Sequence, residues 1–260
     1  MRIILHAGAQ CTDDERLLKT LLRNKDTLAQ AGVAVPHPKS YRNLLRKTLV
    51  NGLKNKFNPE ARDHLLEIIL KDTFAQAHTV ILSNPMFFGI PKEVLESGQL
   101  YPKAVKVLEQ FLLLFPKDDV QLYFSIRNPA SFLSALFKTS QLSEFSDILK
   151  TTNPLEIQWS EFASRLSQAF PELPIHMWCN EDSPFILGQI LRQMGQLPAP
   201  KNIAGDFDLF SDIISKEGFD RFKAYIGKHP VLTLRQLRIV MGAFAEKFCR
   251  TDIIIEELEA

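Results

Sequence analysis

The sequence predicts an α/β fold in three layers: a central parallel sheet of about five strands, helices on both of its faces, and extra helices at the C-terminal end. Two observations predict it. Short, almost wholly apolar runs such as Thr79-Val80-Ile81-Leu82-Ser83 recur along the chain, as strands buried on both faces do. Between them lie amphipathic stretches of helical period, and strands alternating with helices imply parallel pairing.

The elements follow in order. Ile3 to Ala7 is an apolar run ending at Gly8, a first buried strand. Thr12-Asp13-Asp14-Glu15 opens a long amphipathic stretch with Leu17, Leu18, Leu21, Leu22 and Leu28 at helical spacing, closed by Gly32. Val33 to Pro36 is a second short strand. Tyr41 to Leu53 and Pro59 to Gln76 read as helices, the latter with Leu65, Leu66, Ile69 and Leu70 on one face. Thr79 to Ser83 is a strand halted by Asn84-Pro85. Tyr101 to Phe115 is a helix, Val120 to Ile126 a strand, and Arg127-Asn128-Pro129 turns into a helix over Ala130 to Thr139. Trp159 to Phe170 reads as a helix, Ile175 to Cys179 as a strand, Pro184 to Met194 as a helix. Gln196 to Gly205 is a surface loop, and Ser215 to Ile226 and Thr233 to Phe248 are the closing helices.

The 260 residues, with 45% hydrophobic and 23% charged, fit one large domain over 1–260 with a helical C-terminal part from about 206. A chain of this size buries a core without staples. The net charge of +1 gives no electrostatic field for nucleic acid. Nineteen phenylalanines against two tryptophans suggest a greasy interior or a hydrophobic partner surface. Cys11, Cys179 and Cys249 form no CxxC pair and no Cys/His cluster, so we expect three free thiols and no zinc site. The apolar start is too short for a signal peptide, and Phe111 to Phe115, the longest apolar stretch, is far below spanning length. The expectation is a cytoplasmic protein with no membrane span.

Two segments carry more than architecture. One is Leu5-His6-Ala7-Gly8-Ala9-Gln10-Cys11-Thr12; the other is Phe124-Ser125-Ile126-Arg127-Asn128-Pro129, followed by Ser134. Both resemble the sulfotransferase family, particularly its bacterial branch, as does Trp178-Cys179-Asn180-Glu181-Asp182, which is similar to a W-x-x-E-D segment there. The agreement in element order covers roughly the first three-quarters of the chain. The resemblance implies a P-loop-type fold and the cofactor 3′-phosphoadenosine 5′-phosphosulfate (PAPS). By it, Gly8, Ala9, Gln10, Cys11 and Thr12 would cradle the 5′-phosphosulfate, and Arg127 with Ser134 would hold the 3′-phosphate. A guanidinium at a strand's end suits bidentate phosphate binding.

The first segment departs from the family's G-x-H-K-T-G-T-T loop. Cys11 stands at the lysine position, Thr12 matches a hydroxyl, and Asp13, Asp14 and Glu15 replace a glycine and two threonines. A thiol cannot neutralise charge on a leaving bridging oxygen. Each carboxylate ~5 Å from a phosphate, at an effective dielectric of ~20, would cost about 3 kcal/mol. A helix N-terminus returns only ~0.5–2 kcal/mol. By the resemblance this would be a degenerate Walker A loop. Thr12-x-x-Glu15 instead has the spacing of a capping box, with Asp13 and Asp14 in a helix's first turn.

The family's base follows the strand equivalent to Thr79–Ser83; here Asn84 stands there, and an amide takes no proton at neutral pH. His6, on the first strand, is the other candidate, although a strand histidine is more often a satisfied core residue. No further histidine pairs with Ser, Cys or Asp at catalytic spacing. Met86-Phe87-Phe88 reads as core or groove lining.

The leading expectation is a sulfotransferase-like protein with lost or weakened sulfuryl transfer and a binding role, with a protein partner possible. The alternative is an active PAPS-dependent sulfotransferase acting on a hydroxyl of a small-molecule or carbohydrate acceptor. A metal-assisted hydrolase using Asp13, Asp14 and Glu181 has carboxylates but no histidine at ligand spacing.

Overall fold

Five of the apolar runs pair side by side, all parallel, in the computed structural model, which describes residues 1–13, 15–150, 152–197, 203–231 and 233–252. They are β1 (Arg2–His6), β2 (Val33–Ala34), β3 (Thr79–Ser83), β4 (Asp119–Ile126) and β5 (Ile175–Cys179), in the order β2-β3-β1-β4-β5. Helices flank this sheet, so the α/β class with a five-stranded parallel sheet is the observed one. The central strand β1 sets the register: His6 lies opposite Ser83 on one side and Tyr123 on the other. Because strand side chains alternate, these three share one face. Ile3, Leu5, Val80, Leu82, Leu122 and Phe124 share the opposite face and are buried in the main core.

The chain divides into two compact units, Met1–Glu15 with Lys25–Asn180, and Arg16–Asn24 with Glu181–Ala260. In the first, α3 (Pro38–Asn55), α4 (Ala61–Leu70), α5 (Ala104–Leu114) and α8 (Trp159–Ala169) supply the apolar cover for the sheet. Its centre is aromatic: Phe124 meets Phe162 at 4.9 Å, Phe88 at 5.9 Å and Tyr101 at 5.7 Å between ring centroids. Each such fully buried ring stabilises the fold by ~1.5–3 kcal/mol. α2 (Lys25–Gln30), α6 (Pro129–Ser140) and the single turn α7 (Ser146–Leu149) complete the unit's helices.

The second unit contains α1 (Arg16–Arg23), α9 (Ser183–Gly195), α10 (Asp208–Ile213), α11 (Lys216–Lys228) and α12 (Leu234–Phe248). Its small core is also built on phenylalanine, with Phe222 in contact with Phe207, Phe210 and Phe244. Ser215 caps α11 by accepting from the Gly218 amide, and Thr233 with Gln236 forms a complete capping box on α12. Phe88, Tyr101, Phe124, Phe162, Phe210 and Phe222 are buried, as the greasy-interior expectation has it, and Phe207 and Phe244 are partly buried against them.

Three local expectations change: the helix expected from Pro59 to Gln76 spans only Ala61–Leu70, and two others start late. The helix expected from Thr12 to Gly32 begins only at Arg16 and breaks at Asn24. Asn24 donates from its amide to the Thr20 and Ala204 carbonyls and accepts from the Ala204 amide, so its side chain replaces the helical continuation. The helix expected from Tyr101 begins at Ala104, after an unanticipated antiparallel hairpin, Leu95–Glu96 with Gln99–Leu100. Its turn residues Ser97 and Gly98 both have positive φ, 51° and 80°, as a type I′ turn requires. Of the loop expected over Gln196 to Gly205, residues 198–202 lie outside the described residues. No helix among the described residues is long and apolar enough to cross a membrane.

Candidate functional site

Gly8 and Arg127 leave adjacent strands, β1 and β4, at their carboxyl ends. From β1 the chain goes on to β2 on one side of the sheet, and from β4 to β5 on the other. Such a switch point is where open α/β sheets collect ligands. Asn84 joins them there, its amide donating to the His6 carbonyl at 2.8 Å.

The β1 turn is closed by its own hydrogen bonds. The Ala9 amide donates to the Ser125 carbonyl at 2.8 Å, and the Ser125 amide donates to the Gly8 carbonyl at 2.7 Å. Ladder pairing with β4 therefore runs past the strand end and takes up an amide that a phosphate cradle would present. Gly8 has φ +120°, and a Cβ there would sit 2.8 Å from the Pro85 carbonyl oxygen; only glycine fits that combination. Gln10 is buried, and with its amide nitrogen directed inward it donates to the carbonyls of Pro85 and Gly89 at 3.1 and 3.2 Å. Cys11, at φ 59°, places its thiol 3.5 Å from the Thr139 hydroxyl of α6.

Thr12 does not cap a helix. Its hydroxyl donates back to the Ala9 carbonyl at 2.8 Å, and the chain turns through Glu15 at φ 60° before α1 begins. Glu15 pairs with Arg42 of α3 at 2.6 Å instead of reaching back to Thr12. The expected Thr12/Glu15 box is thus absent, because each side chain has a stronger tertiary or turn partner. Asp14 lies outside the described residues. The Glu15 charge, expected to repel an anion, is compensated by Arg42, whose Nε also donates to the Ser83 carbonyl.

Arg127 lies against the loop. Its Nη1 donates to the Cys11 carbonyl at 2.6 Å and its Nε to the Ser131 hydroxyl at 3.1 Å. Its side-chain partner in α6 is Ser131; the side chain of Ser134, expected to join Arg127 on a 3′-phosphate, is exposed and makes no hydrogen bond among the described residues. Ser131 was readable as i+4 from Arg127, a spacing that brings side chains together in the first turn of α6.

His6 is buried, its Nδ1 2.9 Å from the Ser83 hydroxyl and its ring stacked 6.0 Å from that of Trp178. Burial pushes its pKa below the ordinary imidazole value; the Asp13 charge opposes that shift. Tyr41 holds the same strand end, donating to the Ser83 carbonyl at 2.6 Å and accepting from the Ser83 amide at 2.7 Å. Asn84 uses its side-chain oxygen to accept from the Met86 amide, an Asx turn. So His6 is a hydrogen-bonded core histidine and Asn84 a turn former, and neither is presented as a base. Tyr41 and Arg42 carried no signal in the sequence, because their partner strand is about forty residues away.

The residues present do not fit PAPS. The Ala9 amide is engaged, the lysine position holds a thiol, and the arginine that would grip phosphate grips a backbone carbonyl. Cys11, Cys179 and Cys249 are free thiols. Among the described residues no group of three or more His, Cys, Asp or Glu side chains is arranged to hold a metal. In comparisons with known proteins, no family model, no curated protein and no solved structure matches the chain.

Proposed function

We propose that this chain is a cytoplasmic sulfotransferase-like protein, of the kind found in bacteria, in which sulfuryl transfer is lost or greatly weakened and binding is the function. The observation that carries this reading is the Arg127–Cys11 bond of 2.6 Å. To hold a 3′-phosphate, Arg127 would have to give up its bond to the part-buried Cys11 carbonyl, at a cost of ~1 kcal/mol or more. A charged contact returns about as much, ~1.5–3 kcal/mol. The net gain does not overcome the cost of association, so affinity falls to millimolar or weaker.

Calorimetric titration with adenosine 3′,5′-bisphosphate and with PAPS tests this. No saturable heat is expected at micromolar ligand. A variant with Cys11→Lys, Asp13→Gly, Asp14→Thr and Glu15→Thr should gain affinity, and the gain should vanish when Arg127→Ala is added. Micromolar binding by the unaltered chain, with sulfuryl transfer to a hydroxyl acceptor, would sink the proposal. The position of Arg127 beside the β1 turn is what favours that active reading.

A further inference from the structure

Along α3 the first unit carries a cleft of about 150 Å³. Arg42, Arg46, Leu49 and Leu53 line one wall; at spacings of four, three and four residues they share one helix face. Asn84 and Phe87 after β3, with Val107 of α5, line the other wall. The cleft is polar at one end and hydrocarbon at the other, over ~16 Å of helix between Arg42 and Leu53.

Its charge is one-sided. Two arginines and no carboxylate are among the lining residues. Arg42 is compensated by Glu15 and bonded to Ser83. Arg46 is exposed and has no hydrogen bond or ion pair among the described residues. The mouth leaves apolar surface in water: Val50 is 43% exposed, Leu53 45% and Met86 50%. A cation without a partner beside uncovered hydrocarbon, in a cleft of roughly the volume that takes up one benzene ring, matches one kind of molecule.

We propose that this cleft binds a small amphiphilic carboxylate, a compact aryl acid. Its carboxylate meets Arg46 near Asn84, and its hydrocarbon lies between Leu49, Phe87 and Val107. The site does not depend on the nucleotide reading, since none of these residues belongs to the β1 turn.

The test is a titration of ¹⁵N-labelled protein with 3-phenylpropanoate, with 3-phenylpropanamide as the uncharged control and acetate as the ringless one. The acid should move the amide signals of Arg46, Leu49, Asn84 and Gln110 saturably, binding roughly tenfold or more tighter than either control. Arg46→Gln should remove that roughly tenfold preference, the scale of one charge-assisted hydrogen bond, while leaving amide binding unchanged. Val107→Trp, which fills the cleft from a half-buried position, should abolish both. Should Val107→Trp fail to fold, the Arg46→Gln comparison decides alone. Equal affinity for acid and amide, shifts confined to another surface, or no saturable shift at millimolar ligand would each overturn the proposal.

Discussion

Arg127 donates to the carbonyl of Cys11 at 2.6 Å, and this bond joins the turn after β4 to the turn after β1. Arg127 is held from behind as well, its own carbonyl accepting from the Trp159 indole at 2.6 Å. The side chain that resembles a phosphate ligand is a strut between two turns. Arg127→Lys keeps the charge but loses the fork that reaches Cys11 and Ser131 together. We expect it to lower unfolding free energy by ~1–3 kcal/mol in urea denaturation. Unchanged stability in this variant would show that the guanidinium is not structural.

Gly8→Ala should be among the most damaging small substitutions in the chain. The added Cβ meets backbone, the Pro85 carbonyl oxygen at 2.8 Å, at a φ of +120° that alanine rarely adopts. Strain of this kind is worth ~1–3 kcal/mol before the contact is counted. Thermal unfolding should show a large drop, whereas Gly227→Ala, where a Cβ meets nothing within 4 Å, should change little.

Thr12 and Glu15 act independently. Thr12→Val removes the donor to Ala9 and should cost ~1 kcal/mol, while Glu15→Gln weakens a half-exposed pair with Arg42 and should cost less than ~1 kcal/mol. The double variant should be additive within ~0.5 kcal/mol. A larger coupling energy would restore the reciprocal capping box.

His6 predicts the direction of a pH dependence. Burial lowers its folded pKa below the unfolded value, so between the two the unfolded chain binds more protons, and stability rises with pH. Acidification from about pH 7 through the unfolded histidine pKa of ~6.5 should therefore destabilise the protein, until the folded pKa is passed. His176 is shifted in the same direction by burial and by the Arg2 charge. His6→Asn should reduce the slope of unfolding free energy against pH, and His6→Asn with His176→Asn should reduce it further. A slope unaltered in both would refute this assignment.

Elements whose cause is local were legible along the chain. Thr79–Ser83 and Ile175–Cys179 are strands at the bounds their apolar runs mark, and Thr233 and Ser215 open α12 and α11. In each, period or capping chemistry lies within a few neighbouring residues. The Ser97-Gly98 turn has a local cause of the same kind, small residues where φ is positive. Tertiary structure decided the rest, because the competing partners are far away in sequence. Thr12-x-x-Glu15 has the same spacing as Thr233-x-x-Gln236, yet only the latter caps a helix; Glu15 is drawn to Arg42, 27 residues on. Asn24 breaks a helix by bonding a backbone 180 residues away. The sequence brought Arg127 to the carboxyl edge of the sheet, but whether it faces a ligand or a carbonyl depends on how far the β1–β4 ladder continues. That ladder runs past Gly8 to Ala9, turning the Cys11 carbonyl toward the guanidinium, and buried polar groups take the nearest partner that completes their hydrogen bonds.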